Sequence, residues 1–201
     1  LGMGVPVGLQ FSITAIGSVM LQSAVNSLGA VCVSGVAVAG KIYMLLACPF
    51  DALAMAATNF TGQNLGAGKP ERIKPVYRDC ILTVLLIGVP MCALLYFFGQ
   101  PLLGIYIAKD DPAYASVIAS GMVRGSLYFL CGLMEVMCGM VRGLGRSWMP
   151  MVVTIFGACV LRIIWIYTIF QTHHTLDVLY LSYPVSWVVT SAVHVLCFVL
   201  I

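Results

Sequence analysis

Six long apolar stretches, separated by short clusters of glycine, proline and charge, occupy residues 5–28, 39–62, 76–98, 113–141, 149–170 and 179–201. Each can cross the ~30 Å hydrocarbon core of a bilayer as a helix, which takes about 20 residues. None alternates polar and apolar positions as a barrel strand would, so the backbone groups must be satisfied inside helices. The expected fold is all-α, an integral membrane bundle of six transmembrane helices forming a single transmembrane domain over residues 1–201.

The polar positions inside these stretches fall on helical faces. In the first, Gln10, Thr14, Ser18, Gln22 and Asn26 recur every fourth residue and make one spiralling stripe. Such a stripe lines a hydrated cavity that holds substrate, or hydrogen-bonds to a neighbouring helix. In the fourth, Arg124, Tyr128, Cys131, Glu135, Cys138 and Arg142 share a face at alternating spacings of four and three. A charge facing lipid costs at least a few kcal/mol, so this face meets protein or water. Glu135 is the first candidate for binding a coupling proton or cation; its alternative is structural pairing with an arginine. Asp51, two residues after Pro49, is the second candidate, and could instead cap the turn that the proline distorts. Lys41 and Arg162 can snorkel or pair with carbonyls, and His194 is expected to be a satisfied packing residue. Pro49, Pro90 and Pro184 supply kinks, and the pairs Gly121/Gly125 and Gly139/Gly143 have the spacing that lets helices approach closely.

Composition sharpens the class. Hydrophobic residues make up 61% of the chain and charged ones 8%, with a mean hydropathy of +1.04, far from soluble-domain usage. A net charge of +3, confined to a few links, does not suggest nucleic acid as a partner. The eight cysteines include no C-x-x-C pair and lie in apolar stretches, so neither a metal site nor a disulfide framework is expected. Walker, H-E-x-x-H, G-x-S-x-G and G-x-G-x-x-G patterns are absent, which points away from an enzyme and from any cofactor beyond a coupling ion, H+ or Na+. No signal peptide is recognisable, and the chain is expected to be a fragment of a longer protein. Lys69, Arg72, Lys74 and Arg78, with Arg142 and Arg146, place the links at 63–78 and 142–149 in the cytoplasm, in a multi-pass cell-membrane protein.

Two links carry more than charge. One contains Gly62-Gln63-Asn64-Leu65-Gly66-Ala67-Gly68-Lys69-Pro70-Glu71-Arg72, the other Val141-Arg142-Gly143-Leu144-Gly145-Arg146-Ser147-Trp148-Met149-Pro150. With Gly4-Val5-Pro6-Val7-Gly8-Leu9-Gln10 at the start, the chain resembles the multidrug and toxic compound extrusion (MATE) family over its whole length, as the carboxyl-terminal six of twelve helices. The resemblance implies a secondary active antiporter that exports organic, often cationic, drugs or metabolites in exchange for H+ or Na+ by alternating access. Its partners would be membrane lipid, a small-molecule substrate and the missing amino-terminal six-helix lobe. Two positions depart from family patterns: Thr14 stands where some branches have a glutamate, and Cys131 where many have an acidic residue, with Glu135 one turn later. The alternatives are a lipid-linked saccharide flippase of the same superfamily and a non-transporting membrane scaffold.

Overall fold

The computed structural model describes Gly2, residues 4–115, 118, 125 and 127–200. Helices dominate: α1 (Gly4–Asn26), α2 (Ala30–Gly66), α3 (Ile73–Leu103), α4 (Phe129–Gly143), α5 (Trp148–Thr154), α6 (Leu161–Tyr167), α7 (Ile169–Thr172) and α8 (Leu176–Leu200). A 3-10 turn at Pro70–Arg72 leads into α3, and a π-helical segment at Ile155–Val160 joins α5 to α6. Among the described residues, five stretches are long and apolar enough to cross a membrane: Gly4–Asn26, Ala30–Gly66, Pro70–Leu102, Trp148–Thr172 and Leu176–Leu200. The expected span at 113–141 lies partly outside the described residues, as do Arg124 and Gly121.

The second span differs from expectation. α2 begins at Ala30, just after Gly29 turns the chain at φ 98°, and runs 37 residues through Pro49. Lys41 is therefore an exposed residue eleven positions inside the helix rather than one near its end. Residues 30–38 contain neither proline nor charge, so nothing in them stops a helix. At 1.5 Å per residue, α2 is about 55 Å long, well beyond the hydrocarbon thickness, and must tilt or project.

Two apolar clusters hold the bundle. The larger joins Tyr43, Leu46, Phe50 and Ala57 of α2 to Val84 and Leu95 of α3, Met134, Val136 and Met140 of α4, and Trp187 of α8. The smaller joins Leu21 and Val25 of α1 to Ile166, Phe170 and Leu179. Outward apolar side chains such as Met44, Leu86 and Phe97 remain 74–75% exposed, as suits a surface met by lipid rather than water.

The α2–α4 seam is steric. Gly132, Gly139 and Gly143 line the side of α4 that meets α2. A Cβ at Gly139 would come 2.5 Å from the Ala54 carbonyl oxygen, and one at Gly143 2.6 Å from that of Thr58. Thr58 exploits the approach: its hydroxyl donates to the Gly139 carbonyl at 3.0 Å. Gly157 serves the π segment similarly, because a Cβ there would overlap the Thr190 side chain of α8.

Candidate functional site: a polar pocket and two matched helix caps

The two glycine-rich links end α2 and α4 in the same way. At the end of α2 the Lys69 N–H donates to the Asn64 carbonyl at 2.9 Å and the Gly68 N–H to that of Leu65 at 3.1 Å, with Gly68 at φ 66°. At the end of α4 the Arg146 N–H donates to Val141 at 3.4 Å and the Gly145 N–H to Arg142 at 2.9 Å, with Gly145 at φ 80°. Both are Schellman caps, in which a left-handed residue turns two N–H groups back onto otherwise unpaired helix carbonyls. The repeated pattern G-x-G-basic is thus an instruction for stopping a helix. Glycine supplies the positive φ, and the cation after it sits by the negative end of the helix dipole.

The remaining motif residues support these caps. Asn64 Nδ2 donates to the Phe60 carbonyl at 2.8 Å, and the Gln63 carbonyl accepts from the Ala67 N–H at 2.9 Å. The first glycines of the two patterns differ in surroundings: Gly143 is pressed against Thr58 and Thr61, whereas Gly66 faces open space. Pro150 lies in the first turn of α5, where its missing N–H breaks no helical bond.

Above the α4 cap, a cavity of about 190 Å³ opens between α1, α4, the α5–α6 segment and α8. Gln10 and Thr14 line it from α1, Cys131, Glu135 and Arg142 from α4, and Thr154 and Arg162 from the fifth span, while Tyr128, Tyr183 and Trp187 supply aromatic walls. A hydrogen-bonded chain runs beside it. Arg142 Nη2 donates to Gln10 Oε1 at 2.9 Å, and Gln10 Nε2 points at Cys138 Sγ at 3.9 Å. Cys138 Sγ lies 4.0 Å from Thr154 Oγ1, itself 3.4 Å from His194 Nε2. His194 is fully buried and its Nδ1 has no partner among the described residues, so its ring is not fully satisfied, contrary to the expectation from sequence.

Glu135 forms no salt bridge with a described arginine; the one ion pair among the described residues is Arg78–Asp79, at an exposed site. The carboxylate therefore shares its pocket with Arg142 and Arg162 without being locked to either. Arg162 is more tightly held than snorkelling implies: Nε donates to Ser186 Oγ at 2.9 Å and Cζ lies 4.2 Å from the centroid of the Tyr183 ring. Such a stack adds electrostatic attraction between the cation and the ring face. Trp187 packs edge-on against both Tyr128 and Tyr183, at centroid distances of 5.5 and 5.7 Å.

Other sequence candidates fall elsewhere. On the α1 stripe only Gln10 is buried. The hydroxyls of Thr14 and Ser18 bond back to the carbonyls of Gln10 and Thr14 at 2.8 and 3.0 Å, and exposed Gln22 donates to Asn26 at 3.1 Å. Ser18 and Gln22 line a separate cavity with Tyr180 and Tyr183, and Asp51 is exposed on α2, outside the polar pocket. The contribution of α8 was signalled by its own spacing, since Tyr183, Trp187, Thr190 and His194 recur at four, three and four.

A family model described as MatE matches residues 6–168. The chain is 25% identical over 158 residues to the probable multidrug resistance protein YoeA of Bacillus subtilis strain 168, covering 78% of this chain and 34% of that protein. It is 26% identical over 164 residues to the probable multidrug resistance protein YpnP of the same organism, covering 81% and 36%. In fold it is similar to a MOP superfamily transporter from Pyrococcus furiosus Vc1, with a TM-score of 0.86 at 19% identity, covering 96% of this chain and 42% of that one. It is also similar, with the same TM-score and identity, to an outward-facing multidrug resistance MATE family transporter, covering 96% and 43%. The chain spans about a third of the length of the curated relatives it matches, and its fold is that of one lobe of such a transporter.

Proposed function

Because the chain belongs to the MatE family, we propose that it is one lobe of a multi-pass secondary antiporter that exports organic, often cationic, compounds in exchange for H+ or Na+. In this reading a second six-helix lobe of the same protein completes a central cavity, and alternating access moves the substrate across. The links at 63–78 and 142–149 face the cytoplasm, following their excess of basic residues.

The observation that carries the reading is Glu135, a carboxylate inside a membrane-spanning bundle, in a polar pocket and without a salt bridge to any described residue. An intramembrane carboxylate is costly and therefore functional by default. Binding H+ or Na+ removes its charge, and the cost of that charge differs between a dry and a hydrated pocket. An ion with unequal affinity for two conformations shifts the equilibrium between them, which is what coupling requires. Gln10 and Arg142 tie α1 to the α4 end of the pocket that Glu135 shares, so a change of charge at Glu135 acts electrostatically on a contact between two helices. Asp51 is the second carboxylate for this role. Thr14, Tyr128 and Cys131, beside the Arg162 and Tyr183 pair, supply the substrate-facing wall, and Ser18 and Gln22 line a second cavity further along α1.

The test is efflux of ethidium or norfloxacin from proteoliposomes holding the full-length protein, with imposed proton or sodium gradients. Export accelerated by one gradient is the expected result. Export absent under every gradient, with folded protein, overturns the reading in favour of a non-transporting membrane protein.

A further inference from the structure

A second cavity lies away from the polar pocket, where α2 and α4 finish and α3 begins, beside Phe198 and Val199 of α8. Its volume is about 490 Å³. Leu65, Ile73, Leu144 and Phe198 form an apolar floor, and its charged lining is Lys74 and Arg146, one from each glycine-rich link. Both cations are exposed, and neither has a hydrogen bond or ion pair to a described residue. No acidic side chain lines the cavity. The surroundings have the same sign. Residues 63–79 and 142–149 hold six basic residues (Lys69, Arg72, Lys74, Arg78, Arg142 and Arg146) against Glu71 and Asp79. Without Arg142, whose guanidinium is turned to Gln10 in the polar pocket, the excess is three positive charges, equal to the net charge of the whole chain.

We propose that this cavity is a binding site for an anionic phospholipid, with the phosphate between Lys74 and Arg146 and the first acyl carbons on Leu65, Ile73, Leu144 and Phe198. The membrane-spanning α2 ends and the span that contains α3 begins at this level, which is where headgroups meet the hydrocarbon. An apolar floor rimmed by two cations matches a molecule that is anionic at one end and apolar along the rest, and a free inorganic anion would leave the floor empty. Because the floor joins both helix caps to Phe198 of α8, a bound lipid would fasten the two links to that helix. This goes beyond export: the site touches neither Glu135 nor the polar pocket.

Native mass spectrometry of the full-length protein, offered phosphatidylglycerol and phosphatidylcholine in equal amounts, tests it. The expected result is selective retention of phosphatidylglycerol, undiminished by millimolar inorganic phosphate. In K74Q/R146Q that preference falls about thirtyfold, since each of the two basic groups near a membrane surface contributes about 1 kcal/mol to anionic lipid binding. It survives in K74R/R146K and in R72Q, which removes an exposed charge outside the cavity. Equal retention of the two lipids by the wild type, an unchanged preference in K74Q/R146Q, an equal loss in R72Q, or displacement by phosphate would each overturn the proposal. All variants are compared after size exclusion, so a misfolded protein is seen as such, and K74Q alone then carries the test.

Discussion

The two sides of α4 face different problems. Towards α2 the helix presents Gly132, Gly139 and Gly143, and the partner lies so close that a single added carbon would collide with the Phe50 ring at the first and with backbone carbonyls at the other two. Towards α1 and α8 it presents Cys131, Glu135, Cys138 and Arg142 around a cavity, with Cys138 in contacts as long as 3.9 and 4.0 Å and Glu135 in no salt bridge to a described residue. Lipid gives helices no hydrophobic reason to associate, so the first side gains its stability from dispersion and shape. The second gives up close packing for groups that can exchange partners. The π segment falls on this looser side, beside Thr154, and π turns concentrate at functional sites. The comparison suggests a fixed hinge-side seam and an adjustable pocket on opposite faces of one helix.

Substitutions break that comparison in graded steps. Gly139→Leu should be the most damaging, costing more than about 3 kcal/mol because the colliding atom is backbone and cannot turn aside; loss of monodisperse protein on size exclusion, or a large fall in Tm, is the expected outcome. Gly143→Ala against Gly66→Ala is a sharper test, because the two glycines hold matched positions in the two caps. The first should lose about 1–3 kcal/mol in thermal unfolding and the second stay within about 0.5 kcal/mol of wild type. Equal losses would mean that the cap, and not the seam, explains Gly143. Gly68→Ala and Gly145→Ala, each at a positive φ, should cost about 1 kcal/mol apiece. The smallest effect belongs to Ser186→Ala, below about 1 kcal/mol by the same measurement, since Arg162 keeps its stack on Tyr183 when one hydrogen bond goes.

What could be foreseen from sequence followed the range of the interaction. Both glycine-rich links were legible as helix ends, because a Schellman cap is written within six consecutive residues. The start of α2 was not, since residues 30–38 form a helix for lack of a breaker, and an absence is a weak signal. The α1 stripe was legible as a face but not as a function: Thr14 and Ser18 satisfy their hydroxyls on their own helix, which no spacing rule reveals. Arg162 and His194 were undervalued because their partners Ser186 and Thr154 lie 24 and 40 residues away, on other helices. Glu135 stood out at both levels, being charged in an apolar stretch and then placed in the pocket without a salt bridge to a described residue.

The adjustable side of α4 is therefore where ion coupling should be sought, and Glu135→Gln in the full-length protein tests it most directly. The substitution keeps the side chain's size and removes its charge. In proteoliposomes, gradient-driven ethidium export should fall at least about tenfold, a loss of about 1.4 kcal/mol in coupling or more, while ethidium binding without a gradient and the Tm stay close to wild type. Unchanged gradient-driven export at equal protein content would contradict the account and move the coupling ion away from this pocket.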